Sequence, residues 1–467
     1  MSDVTLQFRP SVSGDDGYHN STTFYNSATS AYFGKTTAIC SAFFKFNNIV
    51  IPKNSVIVSA YLKYTPVAEA GTPKLHISAN DTVDPVAPTS ITQYNALATT
   101  AGVAWETAVG SGVSPDIKDI IQTLVSKTDW AINKNILLIV KDDGSSDNNY
   151  CQGNTYDNGN ATLPILEITW TLPSYWHLLN SGASGDDGFT GSEFAGGYED
   201  YFDNTSAYLR TGTAWVGSSQ NIPMNFNTFQ RFPTANLANG LIISEAYLVV
   251  TTKTAQGATY PLNDTIYFNA ADNAVAPANK TQSDALVVTS GIPWTNYLTA
   301  AEKVFTSPNI ATILQEVIDR TGWTANNALM VIIRSTQIGA AWQAPYSDYY
   351  SYNNGSKYPQ LLIYAPPTTG NSISERHLEI AYGPTNLPVD KDIIQYSEAM
   401  LSYKVVQPNT LRSDIMSAGL HIADAKVDYT AGDLDTEAKI ITALNTTNGK
   451  INDILAALET NNILASS

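Results

Sequence analysis

Apolar residues over the first 365 positions recur mostly in alternation. Ala60-Tyr61-Leu62-Lys63-Tyr64 puts its apolar residues on one pleated face and predicts a half-buried strand. Ile136 to Val140 and Ala328 to Ile333 are short unbroken apolar runs, long enough for buried strands and far below the roughly 18 residues of a membrane span. Turn-rich segments separate these runs at sandwich-like spacing. Two stretches keep a different period. After Ser114-Pro115, Asp116 begins a run with Ile117, Ile120, Ile121, Leu124 and Val125, whose spacings of three and four fall on one helical face. Ile310, Ile313, Leu314, Val317 and Ile318 repeat the pattern. Each predicted helix ends near a tryptophan, Trp130 or Trp323, and a buried strand follows.

That recurrence belongs to a duplication of the whole segment. Gly14-Asp15-Asp16-Gly17-Tyr18 returns as Gly185-Asp186-Asp187-Gly188-Phe189, an offset of 171. Phe44-Lys45-Phe46 matches Gln230-Arg231-Phe232, and Ala60-Tyr61-Leu62 matches Ala246-Tyr247-Leu248, both at 186. Trp105 matches Trp294 at 189, and Trp130 matches Trp323 at 193. Pro164, ahead of Ile165-Leu166-Glu167-Ile168, matches Pro359 at 195. The offset only grows, as loop insertions in the second copy require, whereas chance matches would scatter it. The chain therefore reads as mainly β: two tandem jelly-roll-like antiparallel β-sandwiches, residues 1–172 and 173–365, followed by a tail.

The phenylalanine-bearing strand (Phe43 to Phe46; Phe229 to Phe232), the strands Val56 to Leu62 and Leu241 to Leu248, and the mid-domain Trp105 and Trp294 follow a recognisable order. With the helix leading to a second tryptophan and the closing Pro-x-Leu-x-Ile strand, this order resembles the DNRLRE domain, a jelly-roll-like sandwich related to some carbohydrate-binding modules. The resemblance covers about 1–170 and 175–365. That family's arginine in the closing region is missing here, so no inherited ligand site is carried over.

Pro366-Pro367-Thr368-Thr369-Gly370 reads as a linker opening a mixed segment, 366–432. Within it, Leu378, Ile380 and Tyr382 alternate, and Asp390 to Leu401 is expected to be helical. The last segment, 433–467, has a heptad with Ile441 at a, Leu444 at d, Asn448 at a, Ile451 at d, Leu455 at a and Leu458 at d. A single polar a position is a device that fixes register and oligomer state. The competing reading is a helical hairpin on the chain's own core, because Thr446 to Gly449 holds weak helix formers. A helix this short needs partners in either case. The run Ile451-Asn452-Asp453-Ile454-Leu455-Ala456-Ala457-Leu458 resembles the C-terminal ends of tailed-bacteriophage head-fibre, decoration and tail-fibre proteins. That resemblance implies a virion structural protein, a homo-oligomer (a trimer by that family's habit) and other virion proteins as partners.

Charge narrows the partners. With 25 Lys+Arg against 42 Asp+Glu the chain carries a net −17, and its charged content of 14% is well below the roughly 25% of ordinary domains. No basic cluster is present to release counterions from phosphates, which argues against nucleic acid, and the same balance argues against an anionic membrane. Met1-Ser2-Asp3-Val4-Thr5 lacks the basic and apolar regions of a Sec-type signal. Two cysteines, Cys40 and Cys151, cannot build a disulfide framework or a four-cysteine zinc site, and free thiols are the expectation.

Chemistry-bearing motifs are scarce. The five histidines show no metal spacing, and neither copy keeps the other's histidine. No Gly-x-Ser-x-Gly elbow or phosphate-cradling loop exists, and no cofactor motif is visible. The chain is expected not to be an enzyme, although two carboxylates suffice for a glycosidase, so a polysaccharide-degrading enzyme stays as a weaker alternative. Asp15, Asp16, Asp186 and Asp187 are the metal candidates, for Ca²⁺, against an Asx-type turn that the spacing favours. Trp105, Trp294, Trp130 and Trp323, kept in both copies, are expected in the core. The unpaired aromatics Trp342, Tyr346, Tyr349, Tyr350 and Tyr352 are the candidates for stacking on a cell-surface glycan. The leading expectation is a phage virion component that meets host glycans, with a carbohydrate-binding module protein as the alternative.

Overall fold

Alternation in the sequence becomes antiparallel pairing throughout. A computed structural model describes residues 3–106, 112–159, 162–193, 201–216, 222–254, 262–296, 301–336, 346–366, 393–397 and 402–406. The chain divides into two units, Met1–Thr368 and Thr369–Ser467.

The first copy runs β1 (Asp3–Phe8), β2 (Asp16–His19), β3 (Phe24–Tyr25), β4 (Ser30–Lys35), β5 (Ile39–Ile49) and β6 (Val56–Lys63). It continues with β7 (Pro66–Ala70), β8 (Lys74–Ala79), α1 (Ile91–Asn95), β9 (Val103–Glu106) and α2 (Lys118–Val125). β10 (Lys134–Asp142), β11 (Asn149–Asn154) and β12 (Ile165–Thr171) close it. One sheet has the order β1-β12-β6 and the other β7-β11-β4-β5-β10-β8-β9, with the β2–β3 hairpin paired to β5. Inward residues of both meet in one core, among them Phe8, Leu62 and Ile168 from the first sheet and Phe33, Phe44 and Leu138 from the second. α2 buries Ile120, Ile121, Leu124 and Val125 in it, the face that the periodicity predicts.

The second copy has β13 (Trp176–Asn180), β14 (Asp187–Glu193), β15 (Tyr201–Asp203), β16 (Tyr208–Val216), β17 (Ile222–Phe232) and β18 (Glu245–Thr254). β19 (Leu262–Phe268), α3 (Lys280–Asp284), β20 (Ile292–Asn296), β21 (Val304–Thr306) and α4 (Ala311–Ile318) follow, then β22 (Leu329–Ser335), β23 (Tyr346–Tyr350) and β24 (Gln360–Tyr364). Its strands form one continuous sheet, β13-β24-β18-β23-β16-β17-β22-β19-β20. The difference lies in β18, which pairs with β24 at one end and β23 at the other. In the first copy the same path is broken at residues 64–65, between β6, which pairs with β12, and β7, which pairs with β11.

The duplication holds down to single hydrogen bonds. Trp130 Nε1 donates to the Ile51 carbonyl at 3.0 Å, and Trp323 Nε1 to that of Leu237 at 2.9 Å. Gln122 Nε2 reaches Ser55 O, and Gln315 Nε2 reaches Leu241 O, both at 3.0 Å. Ser114 Oγ and Ser307 Oγ accept the N–H of Leu62 and Leu248, each at 2.9 Å. All four repeated tryptophans are buried. Cys40 and Cys151 are both buried, are not joined in a disulfide, and lie on strands separated by β4.

The copies are not independent bodies. Val249, Val304 and Leu362 of the second join the apolar core of the first, and Trp176 and Leu178 pack against it. Polar contacts fix the seam: Arg9 Nη1 donates to the Glu302 carbonyl at 2.8 Å, and Thr306 donates to Asn133. Glu302 itself sits at φ +62°, a backbone conformation that side chains rarely adopt.

In the second unit, β25 (Ile393–Ser397) and β26 (Ser402–Val406) form an antiparallel hairpin, with Ile393 opposite Val406 and Tyr396 opposite Tyr403. This corrects the helix expected over 390–401. Ile393, Ile394, Tyr396, Val405 and Val406 are β-branched or aromatic, and cross-strand pairing overrides the weaker helical spacing. The heptad Ile441, Leu444, Asn448, Ile451, Leu455 and Leu458 lies outside the described residues.

A shared core predicts that both sandwiches unfold in one step. Val304→Asp places an unpaired charge in the seam, at a cost of several kcal/mol, and should split calorimetric unfolding into two transitions. Separate transitions for the two sandwiches in the unmodified chain would contradict a shared core.

Candidate functional site

Each residue of the repeated Gly-Asp-Asp-Gly loop has its own physical task. Gly14 and Gly185 take φ of +92° and +90°, where a side chain is strained. Asp15 Oδ1 accepts from Lys45 Nζ at 3.2 Å, while Oδ2 accepts from Ser11 N (2.8 Å), Val12 N (3.2 Å) and Asn47 Nδ2 (2.6 Å). Asp186 Oδ1 accepts from Arg231 Nη1 at 2.7 Å. Asp16 Oδ2 accepts the N–H of Tyr156 at 2.9 Å, and Asp187 Oδ2 that of Tyr352 at 2.7 Å. Each second aspartate thus caps the short 3₁₀ turn that follows β11 or β23. A Cβ on Gly17 would lie 2.2 Å from the Tyr25 carbonyl oxygen, and one on Gly188 2.5 Å from that of Asp203. Only glycine lets β3 and β15 pass that close.

The calcium expectation for Asp15, Asp16, Asp186 and Asp187 finds no ligand set. Lys45 and Arg231 already neutralise the first aspartate of each pair. Among the described residues no three His, Cys, Asp or Glu side chains gather as metal ligands. Burial, aided by nearby Asp157 and Asp15, pushes the Asp16 carboxyl up to about 8, and the Tyr156 N–H only partly opposes it. Burial likewise pushes Asp187 up to about 7, with Asp186 adding to the effect. The second oxygen of each meets no hydrogen-bond partner, and a neutral acid bears that at less cost than a carboxylate.

These clasps hold an aromatic face. Tyr18 (β2), Tyr25 (β3), Tyr32 (β4) and Tyr150 (β11) are all half-buried and form an unbroken row. Tyr25 stacks on Tyr18 with centroids 4.6 Å apart and planes 11° apart. Tyr32 follows at 5.4 Å from Tyr18, and Tyr150 at 5.6 Å from Tyr32, tilted by 55° and 49°. Burial lifts the Tyr18 hydroxyl to about 12, with Tyr25 contributing, and lifts that of Tyr32 as well. Both therefore remain neutral donors at neutral pH.

The second copy uses the same place differently. Tyr32 lies opposite Gln152 across β4 and β11, and Arg210 lies opposite Asp348 across β16 and β23. Phe189, Arg210 and Tyr346 thus occupy the positions of Tyr18, Tyr32 and Tyr150. Arg210 binds Asp348 through two bonds of 2.7 and 2.9 Å and lies over the rings of Tyr346 (4.4 Å), Tyr208 (5.4 Å) and Phe226 (5.6 Å). Here the rings cover an ion pair, whereas in the first copy they meet one another, stay partly exposed, and pack on the core through Tyr18.

The expected aromatic site in the second copy does not form one surface. Trp342 lies outside the described residues. Tyr346 packs on Arg210, Tyr349 is fully buried with its ring stacked on Trp294 (6.2 Å, 10°), and Tyr350 donates to Glu302. Tyr352 meets Tyr358 at 5.8 Å. Strand alternation sends neighbours to opposite faces, so an aromatic-rich run is not a platform. The tyrosine row escaped sequence reading because its members sit on four strands. The available signal was local: Tyr32 lies between buried Ala31 and Phe33, and Tyr150 precedes buried Cys151, which places both rings outward.

No family model and no curated protein matches the chain. Among solved structures it is similar to a protein described as secreted, from Parabacteroides distasonis, at 9% identity, 78% of this chain, 89% of that one and a TM-score of 0.16. PNGF-II is similar at 10% identity, 79% of this chain, 66% of that one and a TM-score of 0.19. The tandem CBM22-1-CBM22-2 domain of Paenibacillus barcinonensis Xyn10C is similar at 9% identity, 77% of this chain, 97% of that one and a TM-score of 0.16. Similarity at that level carries no inference about what this chain binds.

The raised aspartates make stability fall as pH rises. Above about pH 4 the unfolded chain has released these protons, while the folded chain keeps them up to about 7 and 8. Each group then removes up to about 1.4 kcal/mol per pH unit across its window. Asp16→Asn with Asp187→Asn should flatten the fall in urea midpoint between pH 5 and pH 8.5. An equal fall in the double variant would overturn the assignment.

Proposed function

We propose that the protein is a non-enzymatic appendage of a phage particle that meets a host-surface glycan through the tyrosine row of its first sandwich. The observation that carries the contact is the row itself: four adjoining, half-exposed, amphipathic rings on one sheet, each able to offer an apolar surface and a hydroxyl. Gln152, beside the row, has its amide on Ser30 Oγ at 2.7 Å and adds a polar rim. The surrounding carboxylates are engaged in structure, Asp15 with Lys45 and Asp142 with the N–H groups of Gly144 and Ser145. That arrangement supports binding without turnover. The particle and the homo-oligomer rest on the C-terminal resemblance and on the heptad from Ile441 to Leu458, and solution mass tests them, since a strict monomer would contradict oligomerisation.

Glycan-array binding of the full chain identifies the ligand, and Tyr18→Ala with Tyr32→Ala tests the row. Each removed ring should cost about 1–2 kcal/mol, so the double variant should bind at least tenfold more weakly while its thermal midpoint shows a folded protein. Unchanged affinity in a folded double variant would remove the row from the contact.

A further inference from the structure

The seam between the two sandwiches contains an open cleft of about 210 Å³, separate from the tyrosine row. Thr5, Leu6 and Gln7 of edge strand β1 line it together with Arg9, which lies just past that strand, and so do Ser356, Lys357, Tyr358 and Gln360. Val249 and Val304 line it as well. Among the described residues, the charged side chains on its lining are Arg9 and Lys357, both cations. The nearest acids are already bonded. Glu302 accepts from Arg9, Tyr350 and Lys357, and Glu167 accepts from Gln7 at 2.8 Å and Lys63 at 2.7 Å. Arg9, Lys357 and Lys63 therefore face two carboxylates, leaving one positive charge in excess. In a chain with a net −17 such an island needs a reason. Both cations keep spare N–H donors, since a guanidinium carries five and an ammonium three. The rest of the lining is mostly hydroxyl and amide, groups that exchange hydrogen bonds with a polyol.

We propose that this inter-sandwich cleft binds one anionic sugar residue of the uronic- or sialic-acid class, with its carboxylate on Arg9 and Lys357. Size supports one ring rather than a chain, because drug-sized ligands occupy roughly 300–1,000 Å³. Neither copy can form the site alone, since β1 comes from the first and residues 356–360 from the second. The inference takes only its choice of ligand class from the glycan-contact reading; the site and the residues are different.

The test is an NMR titration of the full chain with glucuronate, galacturonate and N-acetylneuraminate, beside glucose, galactose and acetate. The methyl signals of Val249 and Val304 report the cleft. At least one acidic sugar should shift both signals saturably, neutral sugars and acetate should not, and Lys357→Met should weaken the effect tenfold or more. Arg9 and Tyr350 keep their bonds to Glu302 in that variant, and its thermal midpoint checks folding. An equal response to acetate, or none to any acidic sugar, overturns the cleft. A tyrosine row that binds neutral glycans while the cleft stays silent would leave the glycan-contact reading standing.

Discussion

The bond on which the rest of the first sandwich depends runs from the Asp16 carboxyl to the backbone N–H of Tyr156. It joins the start of β2 to the turn after β11, residues 140 positions apart in the chain. Without it, Tyr18 and Tyr150 sit on strands with no direct pairing, since β2 pairs with β3 and β5 while β11 pairs with β4 and β7. The same bond recurs between Asp187 and Tyr352, so it is part of the duplicated design rather than an accident of one loop. A buried acid is a costly fastener. Its retention in both copies, where much of the rest has changed, shows that the fastening is worth that cost.

Around this shared frame the copies have diverged in charge and rigidity. Tyrosines fill the aromatic face of the first, whereas an arginine–aspartate pair roofed by rings fills that of the second. The core follows the same trend. Phe33 and Leu75 of the first copy correspond by register to Thr211 and Asp264 of the second, where Asp264 accepts from Thr211 at 3.0 Å and from Ser335 at 2.6 Å. Burial pushes Asp264 up to about 6. One copy is thus built on apolar packing with an open aromatic face, and the other spends polar residues inside and covers its face. Packing between them, through Val249, Val304 and Leu362, converts two modules into one body with its own cleft.

Much of the frame was legible in the sequence because it repeats. The growing offset exposed the repeated strand order, the three-and-four spacing located α2 and α4, and retention across copies put the four tryptophans inside. The aromatic faces were not legible, because single-copy features carry no internal check and depend on strand order. Tyr25, Tyr32 and Tyr150 look like ordinary alternating residues until β2, β3, β4 and β11 are placed side by side. The run from Tyr346 to Tyr352 misled for the converse reason: adjacency in sequence is opposition in a strand, and Tyr349 went to the core. At 393–406 helical spacing and β-branched content disagree, and the chain forms the hairpin.

The tyrosine row is the proposed contact surface of the first copy. Hydrogen–deuterium exchange of the full chain, with and without the glycan that it binds best, tests this most directly. Contact through the row adds protection to backbone amides in β2, β3, β4 and β11 and leaves β14, β16 and β23 unchanged. Protection confined to the second sandwich or to residues after 368, with the first sandwich unchanged, would contradict it.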